Sequence, residues 1–282
     1  MKKPALSFLA VAAALLIIGT FFDLPIDERI YTPGSAIANF LAVFGMFPQY
    51  AVEFLPQTML FAILFEKRRS LKIKVMIPVF AALLLITTAW VHDFTGYLKH
   101  QTGLPSVFLA SMLCFFILVF ALAALPFAKK KPNELFTVAL TGLIAFNAGY
   151  AILQVIKTFW GRQRFFTMDN PAEQFTKWFL PQGKAASDSF KSFPSGHSFA
   201  AMCAVWFAFW PRFIDCLKKY TRLILVLAIL FGLAVMTSRL VLGRHFLSDV
   251  TAGASLSLAS FALADYFTLR YFKPQKKERD GI

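Results

Sequence analysis

A chain of 282 residues that is 58% hydrophobic, with 34 Phe and a mean hydropathy of +0.62, carries more apolar surface than one soluble core can enclose. Its net charge of +14 does not spread as a nucleic-acid-binding face would. The cations fall in clusters between apolar runs: Lys2-Lys3, Lys67 to Lys74, Lys129 to Lys131, Arg212 to Arg222 and Arg270 to Arg279. Three cysteines without metal-finger spacing, and no glycine-rich nucleotide loop, exclude a disulfide framework, a zinc module and a P-loop enzyme. The composition predicts an all-α polytopic membrane helical bundle, a single embedded domain over residues 1–282.

In chain order, residues 5–22 form a first apolar span behind two lysines, expected to be retained because no small-residue cleavage site of the A-x-A kind follows the run before Phe21-Phe22-Asp23. Residues 23–50 mix acids with Pro33-Gly34 and read as an outer loop with an interfacial helix. A span at 50–65 carries Glu53, Pro56 and Gln57, and the Lys67 cluster after it requires a return to the cytoplasm. Further spans are expected at 75–91, 106–127 and 135–156. The polar stretch from Lys157 to Ser192 is an outer loop. Ser195 opens a helix that ends near Trp210-Pro211, and spans at 223–238 and 250–269 complete the bundle. That makes eight spans, with both termini cytoplasmic and every basic cluster on that side.

Three outward clusters carry the chemistry. Lys157 and Arg164 are seven residues apart, so if the helix persists they project from similar faces, although snorkelling at an interface explains such cations equally well. In Phe193-Pro194-Ser195-Gly196-His197-Ser198, Ser195 suits an N-cap and Gly196 admits a ligand close to the backbone. The first-turn N–H groups there form a seat for an anion. His197 adds a proton donor at neutral pH, or is incidental to a cap. In the third cluster, Ser238 to Asp249, His245 and Asp249 are four apart and meet on a helical turn. They form either a structural pair or an oriented base or nucleophile.

Lys157 with Arg164, then Pro194-Ser195-Gly196-His197, then Ser238-Arg239 with His245 and Asp249, resembles the tripartite signature of the type 2 phosphatidic acid phosphatase superfamily. The likeness covers residues 157–249 and implies a six-helix lipid-phosphatase core. Phe165 stands where that family usually has proline. The resemblance implies a phosphate cradle of Lys157, Arg164, Arg239, Ser195 and Gly196. It makes His245 the nucleophile, Asp249 its support and His197 the acid for the leaving alcohol. Because fixed cations neutralise the phosphate, no metal or other cofactor is expected.

The expected activity is hydrolysis of a lipid phosphomonoester or diphosphate at the outer face of the cytoplasmic membrane. Candidate substrates are a phospholipid, a prenyl diphosphate or a lipid A phosphate. The rival readings are a lipid phosphotransferase using the same site and an anion or lipid transporter. Arg162 and Arg244 flank the motifs without filling a signature position, and are candidates to support the site residues from behind. His92 and His100 read as solvated loop residues, and the run Thr251 to Ser255 as a close helix contact.

Overall fold

The computed structural model describes residues 2–66, 99, 119, 120 and 122–272. The described residues are helical or irregular and contain no strand. The long elements are α1 (Lys2–Ile30), α2 (Ala36–Phe44), α3 (Phe47–Glu66), α4 (Pro132–Trp160), α5 (Gly196–Met202), α6 (Thr221–Val241) and α7 (Leu247–Phe272). After α5 the chain continues as a 3₁₀ helix over Cys203–Arg212.

Four stretches among the described residues are long and apolar enough to cross a bilayer: Ala10–Ile30, Pro132–Thr167, Asp215–Val241 and Leu247–Phe272. They correspond to the expected spans at 5–22, 135–156, 223–238 and 250–269. At 1.5 Å per residue the 29-residue α4 is about 43 Å long, enough for a hydrocarbon core of about 30 Å. The expected spans at 50–65 and 195–210 are also helical, but fall outside the four. The span expected at 75–91, most of that at 106–127, and His92 and His100 lie outside the described residues.

One expectation is corrected at α1. The sequence places an outer loop from residue 23 onward, yet the helix runs on to Ile30 and buries both Asp23 and Asp27. A charged side chain ends a span only when it has to reach water. Asp23 instead meets protein donors, described below, so the helix has no reason to stop.

The chain divides into two compact units, Met1–Tyr50 with Ala145–Ala208 and Thr221–Phe261, and Ala51–Ile144 with Phe209–Tyr220 and Ala262–Ile282. In the first, α6 is the common neighbour of α1, α2 and α5. Met202, Met236, Leu240, Val250 and Ala254 form a buried cluster between α5, α6 and α7, flanked by Ile30 and Leu258. Ala38 and Ala42 of α2 close on Leu242. The opposite face of α6, with Leu223, Val226, Leu227, Leu230 and Leu233, is exposed apolar surface of the kind that faces lipid.

In the second unit, aromatic edges pair Phe127 with Phe213 at 5.3 Å and Phe136 with Phe272 at 6.0 Å. Arg212 grips both oxygens of Asp265, at 2.5 and 2.8 Å.

Candidate active site

The sequence delivers the three clusters to one place through short backbone devices. Helix α4 ends at Trp160 because Gly161 takes φ +66°, a conformation that glycine adopts without strain. The helix therefore does not persist from Lys157 to Arg164. Arg164 returns on the following turn, where its N–H donates to the Ser189 carbonyl at 2.8 Å and its guanidinium pairs with Asp188 at 2.8 Å. Phe165, in the place of the family's proline, is buried and packs edge-on against Tyr31 at 5.2 Å and Phe246 at 6.4 Å.

Ser195 caps α5 as expected, with φ −72° and ψ 117° and its Oγ accepting from the Ser198 N–H at 3.3 Å. Ser198 Oγ also lies 3.0 Å from that oxygen, so the fully buried Ser195 side chain is largely committed to the cap. Its own N–H donates to the Asp249 carbonyl at 2.9 Å. Helix α7 passes directly beneath: a Cβ on Gly253 would collide with the Ser195 main chain, which gives the small-residue run its reason.

Lys157 Nζ donates to the Pro194 carbonyl at 3.2 Å and stands 3.7 Å from where a Gly196 Cβ would be. Arg239, in the last turn of α6, is buried. His197 lies in the field of Arg239, His245, Lys157 and Arg164. His245 in turn feels Lys157, Arg164 and Arg239. Three cations and two imidazoles thus share one neighbourhood.

His245 is buried, and its Nδ1 lies 2.7 Å from the Ser192 carbonyl. A carbonyl only accepts, so Nδ1 carries the hydrogen and the neutral ring keeps its lone pair on Nε2. Asp249 Oδ2 is 3.8 Å from Nδ1, an electrostatic neighbour rather than the hydrogen-bond partner that the four-residue spacing suggested. Burial, reinforced by the three cations and opposed by Asp249, holds the His245 pKa down to about 3.

Asp249 spends its oxygens elsewhere. Oδ1 accepts from Arg162 Nη1 at 2.6 Å, and Oδ2 accepts from Ser192 Oγ at 2.5 Å and from the Phe246 N–H at 3.0 Å. The last contact is a carboxylate in the first turn of α7 reaching back to the helix start, as in a capping box.

Arg162, which flanks the signature without filling a position in it, supports the site from behind, as the sequence allowed. It is fully buried and donates from Nε to the Thr176 carbonyl at 2.9 Å, from Nη1 to Ser248 Oγ at 2.8 Å and to Asp249, and from Nη2 to Asp23 at 2.9 Å. Its plane lies over the Phe246 ring at 4.2 Å. Asp23, from α1, accepts in addition from the Ser248 N–H at 2.9 Å and, through a short contact, from Ser248 Oγ. Arg244 stacks on Phe166 at 3.9 Å.

An aromatic wall flanks the second cluster. Phe193 stacks on Trp160 at 4.7 Å and on Trp178 at 6.0 Å, and Trp178 Nε1 donates to Thr20 Oγ1 on α1 at 2.9 Å. Such a site, cationic and carrying two imidazoles, is chemically equipped to hold a phosphoryl group and transfer it. Among the described residues no cluster of His, Cys, Asp and Glu has the makings of a metal site.

Comparison with known proteins agrees. Residues 133–273 match the family model described as the PAP2 superfamily. Phosphatidylglycerophosphatase B of Bacillus subtilis (strain 168) is 38% identical over 78 residues, a stretch that covers 27% of this chain and 38% of the relative. No solved structure matches. The family match takes in α4 to α7 with all three clusters, half of the sequence, and the chain therefore belongs to the PAP2 superfamily.

Proposed function

We propose that the protein is a membrane-embedded lipid phosphatase that hydrolyses a lipid phosphomonoester or diphosphate through a phosphohistidine. The observation that carries the reading is the commitment of His245 Nδ1 to the Ser192 carbonyl within reach of three cations, which leaves Nε2 unprotonated beside an anion seat. The B. subtilis relative's name puts phosphatidylglycerophosphate first among substrates to try. Phosphatidic acid, a prenyl diphosphate and lipid A phosphate follow.

In this mechanism Lys157, Arg164, Arg239 and the Gly196 N–H hold the phosphoryl oxygens, and Ser195 serves the cradle chiefly as the cap that opens α5. His245 Nε2 attacks phosphorus; the P–N bond forms as the bond to the lipid oxygen breaks. Asp249, 3.8 Å from the ring, offsets the positive charge that develops on it. The bound phosphate sustains a protonated His197, which gives its proton to the departing oxygen. Water then attacks phosphorus, His197 takes its proton, and the P–N bond breaks to release inorganic phosphate. Fixed cations do the neutralising, so chelators leave the rate unchanged.

The proposed location is the outer face of the cytoplasmic membrane, supported by the basic clusters Lys129–Lys131 and Arg212–Arg222, which lie one span away from the site-bearing loops. There the lipid tail stays in the bilayer while its headgroup meets the cations.

The test is phosphate release by purified protein in proteoliposomes. His245→Ala and His197→Ala are expected to lose about 10³-fold or more in kcat while their melting profiles stay wild-type. Near-normal turnover by both refutes the roles, and anion flux without hydrolysis supports a transporter instead. Labelled phosphate arriving on a lipid alcohol rather than water identifies a phosphotransferase. EDTA inactivation reversed by a divalent ion rejects the metal-free scheme.

A further inference from the structure

Helix α1 lies outside the family match, which begins at residue 133, yet its Asp23 is fully buried within hydrogen-bonding distance of the third cluster. Each of its oxygens is used. Oδ1 accepts the Ser248 N–H, and Oδ2 accepts both Arg162 Nη2 and Ser248 Oγ. Arg162 and Ser248 are the very groups that fix Asp249: Arg162 binds Asp249 Oδ1, and Ser248 precedes it in the first turn of α7. Asp249 in turn holds Ser192 through Oδ2, and Ser192 supplies the carbonyl that receives the His245 Nδ1 hydrogen.

We infer that Asp23 is a positioning residue of the active site, acting on His245 through Arg162, Ser248 and Asp249. The inference rests on the reading of His245 as the nucleophile. A guanidinium between two carboxylates has its rotation removed: Nη2 is held by Asp23, Nη1 by Asp249 and Ser248, and Nε by the Thr176 carbonyl. In Asp23→Asn one of the two oxygens becomes an amide nitrogen that cannot accept, so Arg162 loses its ion pair on that side and Ser248 keeps an acceptor for only one of its N–H and its hydroxyl. The Ser192 carbonyl and the imidazole then lose their fixed register, and a displacement well under 1 Å at a nucleophile is enough to slow transfer. Asp27, one turn further along α1, is also fully buried, and neither of its carboxylate oxygens has a hydrogen-bond partner among the described residues. It provides a matched control, a buried acid on the same helix without the attachment.

The experiment compares wild type, Asp23→Asn, Asp27→Asn and Ser248→Ala as full-length protein in proteoliposomes. It measures kcat and KM for phosphate release and, separately, orthovanadate affinity by calorimetry. Asp23→Asn is expected to lower kcat about ten- to a hundredfold with KM within about threefold, and to weaken vanadate by a similar factor. Ser248→Ala is expected to lose less, and Asp27→Asn to keep at least half of the wild-type rate. If Asp23→Asn does not fold, Ser248→Ala decides, and an unchanged kcat in it overturns the inference. Unchanged kcat and vanadate affinity in folded Asp23→Asn overturns it as well, as does an equal loss in Asp27→Asn. If wild type releases no phosphate, the proposed function fails, and vanadate affinity alone decides the role of Asp23.

Discussion

The ion pairs around Arg162 and those around Asp215 are made of the same groups and share hardly any physics. Arg162, Asp23 and Asp249 are 0% exposed, and each charge meets several fixed donors or acceptors. Asp215 is 64% exposed and is shared between Lys131 and Lys218, both at 2.6 Å. Removing charges from water costs several kcal/mol each, and the buried cluster recovers this only because every partner is in place. The exposed cluster costs almost nothing to form and holds almost nothing together. A short N···O distance does not rank the two; the number of fixed partners and the absence of water do.

The largest effect comes from breaking the dry cluster. Arg162→Leu leaves two buried carboxylates facing each other without their cation, and is expected to destabilise the fold by about 3–5 kcal/mol. The measurement is the loss of monodisperse protein and the fall of the melting temperature in detergent. A wild-type melt contradicts the account.

An intermediate test uses pH. With its pKa at about 3, native His245 stays unprotonated where an unfolded chain's histidine, near 6.5, takes up a proton. Its contribution to stability is complete above about pH 6.5 and drains away as pH falls toward 3. In a ¹⁵N-histidine spectrum the His245 resonances should not move between pH 8 and pH 5; a midpoint near 6.5 shows that burial does not control it. The smallest effect is expected at Asp215→Asn, which should leave melting temperature and turnover unchanged. A clear drop in either erases the contrast between the clusters.

What was readable in advance was local. Ser195 announces its cap by residue type, His245 and Asp249 by a spacing of one helical turn, and Gly253 by sitting among small residues. What escaped was whatever needed a partner far along the chain. Asp23 reads as the end of a span because a lone acid in an apolar run normally is, and nothing near it reveals an arginine 139 residues on. Arg162 stands out in the sequence as a cation flanking the signature, but its partners do not, for the same reason. The 2.7 Å partner of His245 Nδ1 is a peptide oxygen, which has no letter in the sequence. Only the path of the chain through Ser192 reveals it, whereas the carboxylate at 249 is visible in the sequence one helical turn away.

That peptide oxygen has a consequence for how the site tolerates change. No substitution deletes a main-chain acceptor, so the tautomer of His245 does not hang on the presence of a carboxylate, as it does where an aspartate is the sole partner of the ring. A descendant of this protein that exchanged Asp249 for a neutral residue would forfeit the ring's countercharge and the anchor of the Ser192 hydroxyl, and would keep the lone pair on the same nitrogen only while the Ser192 carbonyl stays in place. What such a lineage has to preserve is the course of the polypeptide from Ser192 into Phe193, a constraint written in conformation rather than in residue identity.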